Sequence, residues 1–172
     1  MNSISLSNDY SNQKIYKPMS GKEVQKWIPD ATILKQAELR NYTSLPKLPI
    51  VILYEIKPGF GHWVTVLSTP EGIEHFDSYS AKPDDELGFI PDNYKKVSNQ
   101  DKKHLLKLLM NRDNINYNEY IFQGEPPIST CGRWVILRNL FNDLTIDQFR
   151  KMIERTANEL NISSDELVAM AI

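Results

Sequence analysis

The stretch STCGRWVILRNLF, residues 129–141, decides how the rest of the chain is interpreted. It holds the single cysteine of the sequence, Cys131, directly after Ser129 and Thr130, whose short hydroxyls make good helix N-caps. The residues that follow are apolar on most sides, which is typical of a helix buried in a core. The pattern therefore predicts a buried helix with Cys131 at its amino end, where free N–H groups and the helix dipole favour a thiolate.

A cysteine at a helix start does not by itself define an enzyme, because a single free cysteine is more often a small, inert core residue. Nucleophilic catalysis also requires a base, a group that orients the base, and donors for the oxyanion that forms during the reaction. The rest of the sequence decides whether Cys131 has these partners.

The composition is that of an ordinary soluble domain. The chain has 172 residues, of which 41% are hydrophobic and 24% charged, enough to bury one sizeable core. A formal net charge of −2 with no run of Lys or Arg argues against nucleic acid as an obligate partner. One cysteine excludes an internal disulfide, and neither a secretory signal nor a membrane-spanning run of roughly 20 apolar residues is found. We expect an intracellular, reducing setting.

Residues 1–17 are rich in Ser, Asn and Lys and predict a flexible N-terminal arm, whereas residues 18–172 predict a single domain. The order of elements predicts an α+β fold with a mostly antiparallel central sheet and the Cys131 helix packed against it. Strands are predicted at 49–56, 62–67, 73–77 and 115–123. Helices are predicted at 20–28, 31–40 and 100–112, and then after residues 130, 145 and 163. Capping boxes support three of these helix starts: Ser20 with Glu23, Thr145 with Gln148, and Ser163 with Glu166.

Three histidines are candidates for the base. His104 lies among lysines and predicts a solvated helix face, and His75 alternates with its strand neighbours in a way that predicts an edge or surface position. His62 follows a Gly-Phe-Gly turn at the end of a strand, where active sites tend to form.

Asp77 is the candidate for the orienting group. If residues 62–67 and 73–77 form a hairpin, His62 and Asp77 become cross-strand neighbours with Cβ atoms roughly 5 Å apart. A carboxylate there can fix the imidazole tautomer and stabilise the imidazolium. The alternative is that Asp77 caps its own loop, and one carboxylate can serve both roles. Gln123, predicted at a strand end before Cys131, is a candidate oxyanion donor together with the Cys131 backbone N–H.

These residues carry a resemblance. Gly61-His62-Trp63, Phe76-Asp77-Ser78-Tyr79, Gln123 and Thr130-Cys131-Gly132-Arg133-Trp134 resemble the adenovirus-protease clan of cysteine peptidases, which also contains the ubiquitin-like-protein (SUMO) proteases and the maturation proteases of large DNA viruses. The order His, Asp, Gln, Cys is the signature and covers residues 50–141. These motifs are most similar to those of the viral and mobile-element branch. One departure is an interval between Gln123 and Cys131 that is a residue or two longer than in relatives.

The resemblance implies an adenain-like cysteine protease fold and a role for each matching position. It makes Cys131 the nucleophile, His62 the general base and then acid, and Asp77 its orienter, with Gln123 and the Cys131 amide as the oxyanion hole. It also implies that Trp63 roofs a narrow substrate tunnel, although Trp63 is equally explained as a core residue. Gly132 suits close approach of the substrate backbone. Cleavage after Gly-Gly or Gly-X-Gly is the expected specificity.

Several functions remain open on the sequence alone. The first is a monomeric endopeptidase that processes viral structural precursors in host cytoplasm or virion. The second is a deubiquitinase or SUMO-type protease, and the third is a catalytically inactive peptide-binding domain. A relative of this clan can also transfer acetyl groups with the same triad. No Cys/His cluster or glycine-rich phosphate loop is present, so we expect no metal or other cofactor.

Overall fold

The computed structural model describes residues 13–172, so residues 1–12 of the predicted arm lie outside the described residues. The fold is α+β and is built around a five-stranded sheet with the strand order β1-β2-β3-β4-β5. The strands are β1 (Thr32–Lys35), β2 (Ile50–Lys57), β3 (Phe60–Thr69), β4 (Gly72–Phe76) and β5 (Asn116–Tyr117). The α-helices are α1 (Gly21–Trp27), α2 (Asp92–Val97), α3 (His104–Leu109), α4 (Cys131–Leu140), α5 (Ile146–Leu160) and α6 (Ser164–Ala171), with 3₁₀ helices at Gln36–Asn41 and Asp85–Phe89.

The sheet is mixed, and its central pairings are antiparallel, as predicted. Strands β2, β3 and β4 form an antiparallel meander, as the hairpin signals predict. Both edge strands, however, run parallel to their neighbours: β1 to β2 and β4 to β5. Parallel pairing needs a long connection between the strands, and these two connections carry the 3₁₀ helices, α2 and α3 on one face of the sheet.

Both faces of the sheet are buried. Alternate residues of β3 point to opposite sides, so Val64 and Val66 pack with Leu105 on one side. On the other side Trp63 packs with Val135, which belongs to α4. Helix α4 is buried along nearly its whole length, as predicted from its sequence. The domain is therefore a sheet between two layers of helices and 3₁₀ turns.

The predicted capping boxes are confirmed at the starts of α1, α5 and α6. In each box the N-cap hydroxyl accepts from the backbone N–H three residues later, and that residue's side chain accepts from the N-cap N–H. The three pairs are Ser20 with Glu23, Thr145 with Gln148, and Ser163 with Glu166.

Three predicted elements are wrong in type or length. Residues 31–40 form β1 and a 3₁₀ helix rather than an α-helix, because Ile33 and its neighbours pair with β2. The helix predicted at 100–112 is shorter and starts at His104, and the unpredicted helix α2 precedes it. Asn99 between them adopts a left-handed φ of 57°, which stops a helix. The strand predicted at 115–123 is only two residues long, Asn116–Tyr117.

No helix in the part of the chain that the structure describes is long and apolar enough to cross a membrane.

A buried ion pair ties α4 to the sheet. Arg138 Nε and Nη2 donate to the two carboxylate oxygens of Glu74 in β4 at 2.8 and 3.0 Å, and both side chains are fully buried. The same guanidinium donates to the backbone oxygens of Phe141 and Leu144 at 2.8 and 3.0 Å. Four hydrogen bonds from one guanidinium thus hold the end of α4 in place.

We predict that Arg138→Ala lowers the free energy of unfolding by about 3–5 kcal/mol, because it leaves the Glu74 carboxylate buried without a partner. Urea denaturation of the purified variants measures this change. Arg155→Ala is the matched control, since Arg155 forms an exposed pair with Glu159 and its loss is expected to change stability little. Equal losses in the two variants would contradict the role assigned to the buried pair.

Candidate active site

His62, near the start of β3, contacts the carboxylate of Asp77. The His62 Nε2 and Asp77 Oδ1 atoms are 2.9 Å apart. Asp77 is fully buried, and 11% of the His62 side chain is exposed. Because a carboxylate only accepts hydrogen bonds, Nε2 carries the proton in this pair, and Nδ1 is left for a second partner.

The two residues meet diagonally and not as a direct cross-strand pair, which corrects the predicted register. The β3–β4 ladder pairs Thr65 with Phe76 and has no further pair toward His62. Asp77 follows β4 immediately, so its side chain reaches back to the imidazole across the end of the hairpin. The predicted proximity is present, although the backbone pairing that was expected to produce it is not.

The backbone of Asp77 is fixed by Asn118, a residue that the sequence reasoning missed. Asn118 Oδ1 accepts from Asp77 N at 2.9 Å, and Asn118 Nδ2 donates to Asp77 O at 2.6 Å. The Tyr79 N–H donates to Asp77 Oδ1 at 2.8 Å. Asp77 therefore both caps its own loop and binds His62, so the two roles considered from sequence coexist.

The surroundings of His62 favour its protonated form. Burial alone lowers the pKa of His62, but the Asp77 carboxylate and Cys131 raise it, and hydrogen bonding to both groups raises it further. The net pKa lies well above the ordinary value of 6.5. Burial raises the pKa of Asp77, yet the His62 charge and the hydrogen bonds from His62 and Tyr79 lower it below its usual range. The structure thus brings His62 together with both Asp77 and Cys131.

Tyr79 covers the imidazole of His62. The two rings are stacked, with centroids 4.9 Å apart and planes inclined by 21°. Burial, followed by the nearby acidic groups Cys131 and Glu86, raises the pKa of Tyr79 to about 12, so its phenol stays neutral. The stack restricts rotation of the His62 ring and keeps its two nitrogens directed toward their partners.

Cys131 is the first residue of α4 and is only 4% exposed. Asp165 clamps the chain around it: Oδ1 accepts from the Thr130 hydroxyl and from Trp134 Nε1, and Oδ2 accepts from Gly124 N. Thr130 occupies the N-cap position as predicted, but its hydroxyl binds Asp165 and makes no cap bond to the first turn. The first-turn N–H groups beside Cys131 therefore lack a side-chain cap.

Gln123 lies in an irregular loop and not at the end of a strand. Its side-chain oxygen accepts from the Ser78 hydroxyl at 2.7 Å, and Nε2 donates to Ile128 O at 3.1 Å. These bonds fix the orientation of a buried amide. They use one of the two hydrogens on Nε2 and leave the other for a further acceptor.

Trp63 and Gly132 pack against each other close to Cys131. Trp63 is 3% exposed, and its Nε1 donates to Met19 O at 2.9 Å. A Cβ atom added to Gly132 would lie 3.0 Å from Met19 Cβ and 3.2 Å from Trp63 Cδ1. In this structure Trp63 is a core residue, and the space that Gly132 leaves open is filled by Met19 and Trp63.

The described part of the predicted arm, residues 13–17, lies along the start of α4. Ser129 N donates to Ile15 O at 2.7 Å, and Arg133 Nη1 donates to Lys17 O at 2.7 Å. The Ile15 side chain is buried. These residues are therefore held by the segment that contains Cys131.

The other two histidines have different surroundings. His75 is 1% exposed, which contradicts the predicted edge or surface position. It lies opposite Val66 on the face of the sheet that α3 and the 3₁₀ turns cover. Burial lowers the pKa of His75 to about 4, so the ring is neutral near pH 7. His104 begins α3 and is half-buried.

Glu86 is the main acidic neighbour that sequence reasoning missed. It lies in the 3₁₀ turn Asp85–Phe89, and its Oε1 is 3.8 Å from His62 Nε2. Burial raises the pKa of Glu86 to about 7; His62 lowers it, while the charge of Asp77 and hydrogen bonding with Asp77 raise it. The ligand atoms of His62, Asp77 and Glu86 lie within 4.8 Å of one another, a spacing that could surround a metal ion. The 2.9 Å hydrogen bond inside the group accounts for that spacing without an ion.

Taken together, these features define an α+β protein with a cysteine, a histidine and an aspartate assembled at one end of its sheet. The chain is 38% identical over 123 residues to the uncharacterized protein V9 of Sputnik virophage, and the match covers 70% of each protein. The chain belongs to the same family as this virophage protein. No family model matches the chain, and no solved structure matches it.

The raised pKa of Glu86 predicts a specific dependence of stability on pH. The pKa rises from 4.5 to about 7 on folding. Below pH 4.5 the carboxyl is neutral in both states and folding has no ionisation cost, whereas above pH 7 the full cost, about 3 kcal/mol, is present. We predict that Glu86→Gln is more stable than the wild type at pH 8 and that this difference shrinks as the pH falls from 7 to 4.5.

Thermal unfolding across this pH range measures the difference. Asp85→Asn is the control, because Asp85 is the exposed neighbour in the same turn and should show no comparable gain. A pH-independent difference between Glu86→Gln and the wild type would contradict the assigned pKa.

Proposed function

We propose that this protein is a cysteine peptidase with an adenain-like fold, in which Cys131 is the nucleophile, His62 the general base and acid, and Asp77 the group that orients His62. One observation carries the proposal: the imidazole is held through Nε2 by a buried carboxylate at 2.9 Å. Cys131, at the start of α4, is among the groups that raise the pKa of the same imidazole. The chain order His62, Asp77, Gln123, Cys131 supports the same assignment.

The chemistry follows from this arrangement. His62 accepts the proton of the Cys131 thiol, and the thiolate attacks the carbonyl carbon of the scissile peptide bond. The carbon–nitrogen bond breaks as His62 gives the proton to the leaving amine, and a thioester remains on Cys131. Water then attacks the thioester with His62 as base, which releases the carboxylic acid product and restores the thiol. Asp77 stabilises the imidazolium in both steps.

The oxyanion needs two donors in fixed positions. The proposed pair is the Cys131 backbone N–H and the second hydrogen of Gln123 Nε2. The bonds of Gln123 to Ser78 and Ile128 support this role, because they hold the amide in one orientation before substrate arrives.

The proposed substrate is a polypeptide that is cut after Gly-Gly or Gly-X-Gly. Because Cys131 is only 4% exposed, a substrate chain reaches it most easily where it carries no side chains next to the scissile bond. The family resemblance points to the same glycine preference. Because one member of the family comes from a virophage, we propose viral structural precursors as the natural substrates.

We predict that the purified protein cleaves members of a peptide library after glycine pairs and that Cys131→Ala lowers the rate by at least about 10⁴-fold, because the nucleophile and its base act as one unit. Mass spectrometry of the products gives both the rate and the cleavage site. The cleavage rate of His62→Gln should be lower than that of the wild type by a comparable factor. His104→Gln is the matched control histidine and should retain activity.

The same proteins distinguish the other functions. Labelling of Cys131 by a ubiquitin or SUMO activity probe, with no cleavage of precursor-type peptides, would favour a ubiquitin-like-protein protease. Peptide binding without cleavage by the folded wild type would favour an inactive binding domain. Undiminished cleavage by Cys131→Ala would contradict the proposed nucleophile.

A further inference from the structure

Glu86 is placed beside His62 by a buried anchor two residues earlier in the chain. Asp84 is 1% exposed, and its Oδ1 accepts from Tyr54 Oη at 2.9 Å and from Gln36 Nε2 at 3.1 Å. Its Oδ2 accepts from Leu106 N at 2.8 Å. Asp84 also has a left-handed φ of 66°, which turns the chain two residues before Glu86. Three separate segments thus fix the start of the turn that carries Glu86.

The Asp77 carboxylate has one oxygen in use and one without a donor. Oδ1 accepts from both His62 Nε2 and Tyr79 N. Oδ2 is buried and accepts no hydrogen bond from any residue that the structure describes. A buried carboxylate oxygen without a donor is costly. The neighbouring carboxyl of Glu86 can supply a donor only if it carries a proton.

We propose that Glu86 is a positioning residue, whose carboxyl proton forms a hydrogen bond to Asp77 Oδ2 and so keeps Asp77 Oδ1 directed at His62. One oxygen or nitrogen atom from each of the three side chains lies within 4.8 Å of the other two, and Glu86 is only 7% exposed. The catalytic consequence rests on the proposed function, whereas the bridge between the two carboxyl groups does not.

The protonation of Glu86 is consistent with this bridge near neutral pH. Burial, and then hydrogen bonding and charge repulsion from Asp77, raise the pKa of Glu86 to about 7 even though His62 lowers it. The titratable groups that face Glu86 are His62 from β3, Asp77 and Tyr79 from the segment after β4, and Asp85 from its own turn. Below pH 7 the Glu86 carboxyl keeps its proton and can donate a hydrogen bond to Asp77. Above pH 7 the proton is lost, and a second negative charge lies beside His62.

The test is the rate at which iodoacetamide alkylates Cys131 between pH 5.5 and 9, which needs no substrate. Cys131 is the single cysteine of the chain, so the signal comes from one site. Glu86→Gln keeps an N–H donor at every pH, so its rate of Cys131 alkylation at pH 6 should be within about twofold of the wild-type rate. Its pH profile should lack the change near pH 7 that the ionisation of Glu86 produces in the wild type. Glu86→Leu removes the donor and should alkylate about tenfold more slowly at pH 6, as expected for loss of a hydrogen bond to a charged group. Glu71→Gln, an exposed carboxyl in the turn between β3 and β4, should match the wild type throughout.

The comparison of Glu86→Gln with Glu86→Leu distinguishes a positioning role, which needs a hydrogen-bond donor, from a packing role, which does not. If Glu86→Leu alkylates like the wild type at pH 6, or if Glu86→Gln is as slow as Glu86→Leu, the inference is overturned. His62→Gln is included as a reference: a slow His62→Gln with an unaffected Glu86→Leu would leave the catalytic pair in place and remove only the role of Glu86. Glu86-dependent alkylation in a wild-type protein that cleaves no peptide would overturn the proposed function and leave the positioning role standing.

Discussion

The hydrogen bond between His62 Nε2 and Asp77 Oδ1 is the contact on which the rest of the site depends, because it decides which imidazole nitrogen remains for Cys131. A fully buried carboxylate is stable only when its oxygens and its backbone have partners. Tyr79 and Asn118 supply several of these partners. Much of the local structure after β4 can therefore be understood as the support that one buried acid requires.

The site lies at the end of the sheet where its two covering layers approach each other. One layer supplies Cys131 at the start of α4, and the other supplies Glu86 in a 3₁₀ turn. Each contribution is fixed by a buried aspartate: Asp165 holds the chain before α4, and Asp84 holds the turn. Because the anchors come from distant parts of the chain, the site forms only when the whole domain is folded. Its geometry is consequently set by polar contacts as much as by apolar packing.

The sequence predicts those features that depend on neighbouring residues. Capping boxes, the central strands and the buried Cys131 helix follow from local patterns, and the approach of His62 to Asp77 follows from a short hairpin. Features that depend on distant partners do not. Ile33 is in a strand because it pairs with β2, and His75 is buried because both faces of the sheet are covered. Glu86 belongs to a polar run that has no periodicity, so no local pattern marks it as part of the site.

The most direct test of the account is an NMR titration of the His62 ring nitrogens in the wild type and in Cys131→Ala. We predict that the wild-type imidazole stays protonated well above pH 6.5, with its Nε2 proton hydrogen-bonded to Asp77, because Asp77 and Cys131 raise the pKa of His62. Removal of the thiol should lower this pKa. Titration of His62 near 6.5 in both proteins would contradict the assembly of His62, Asp77 and Cys131 into one site.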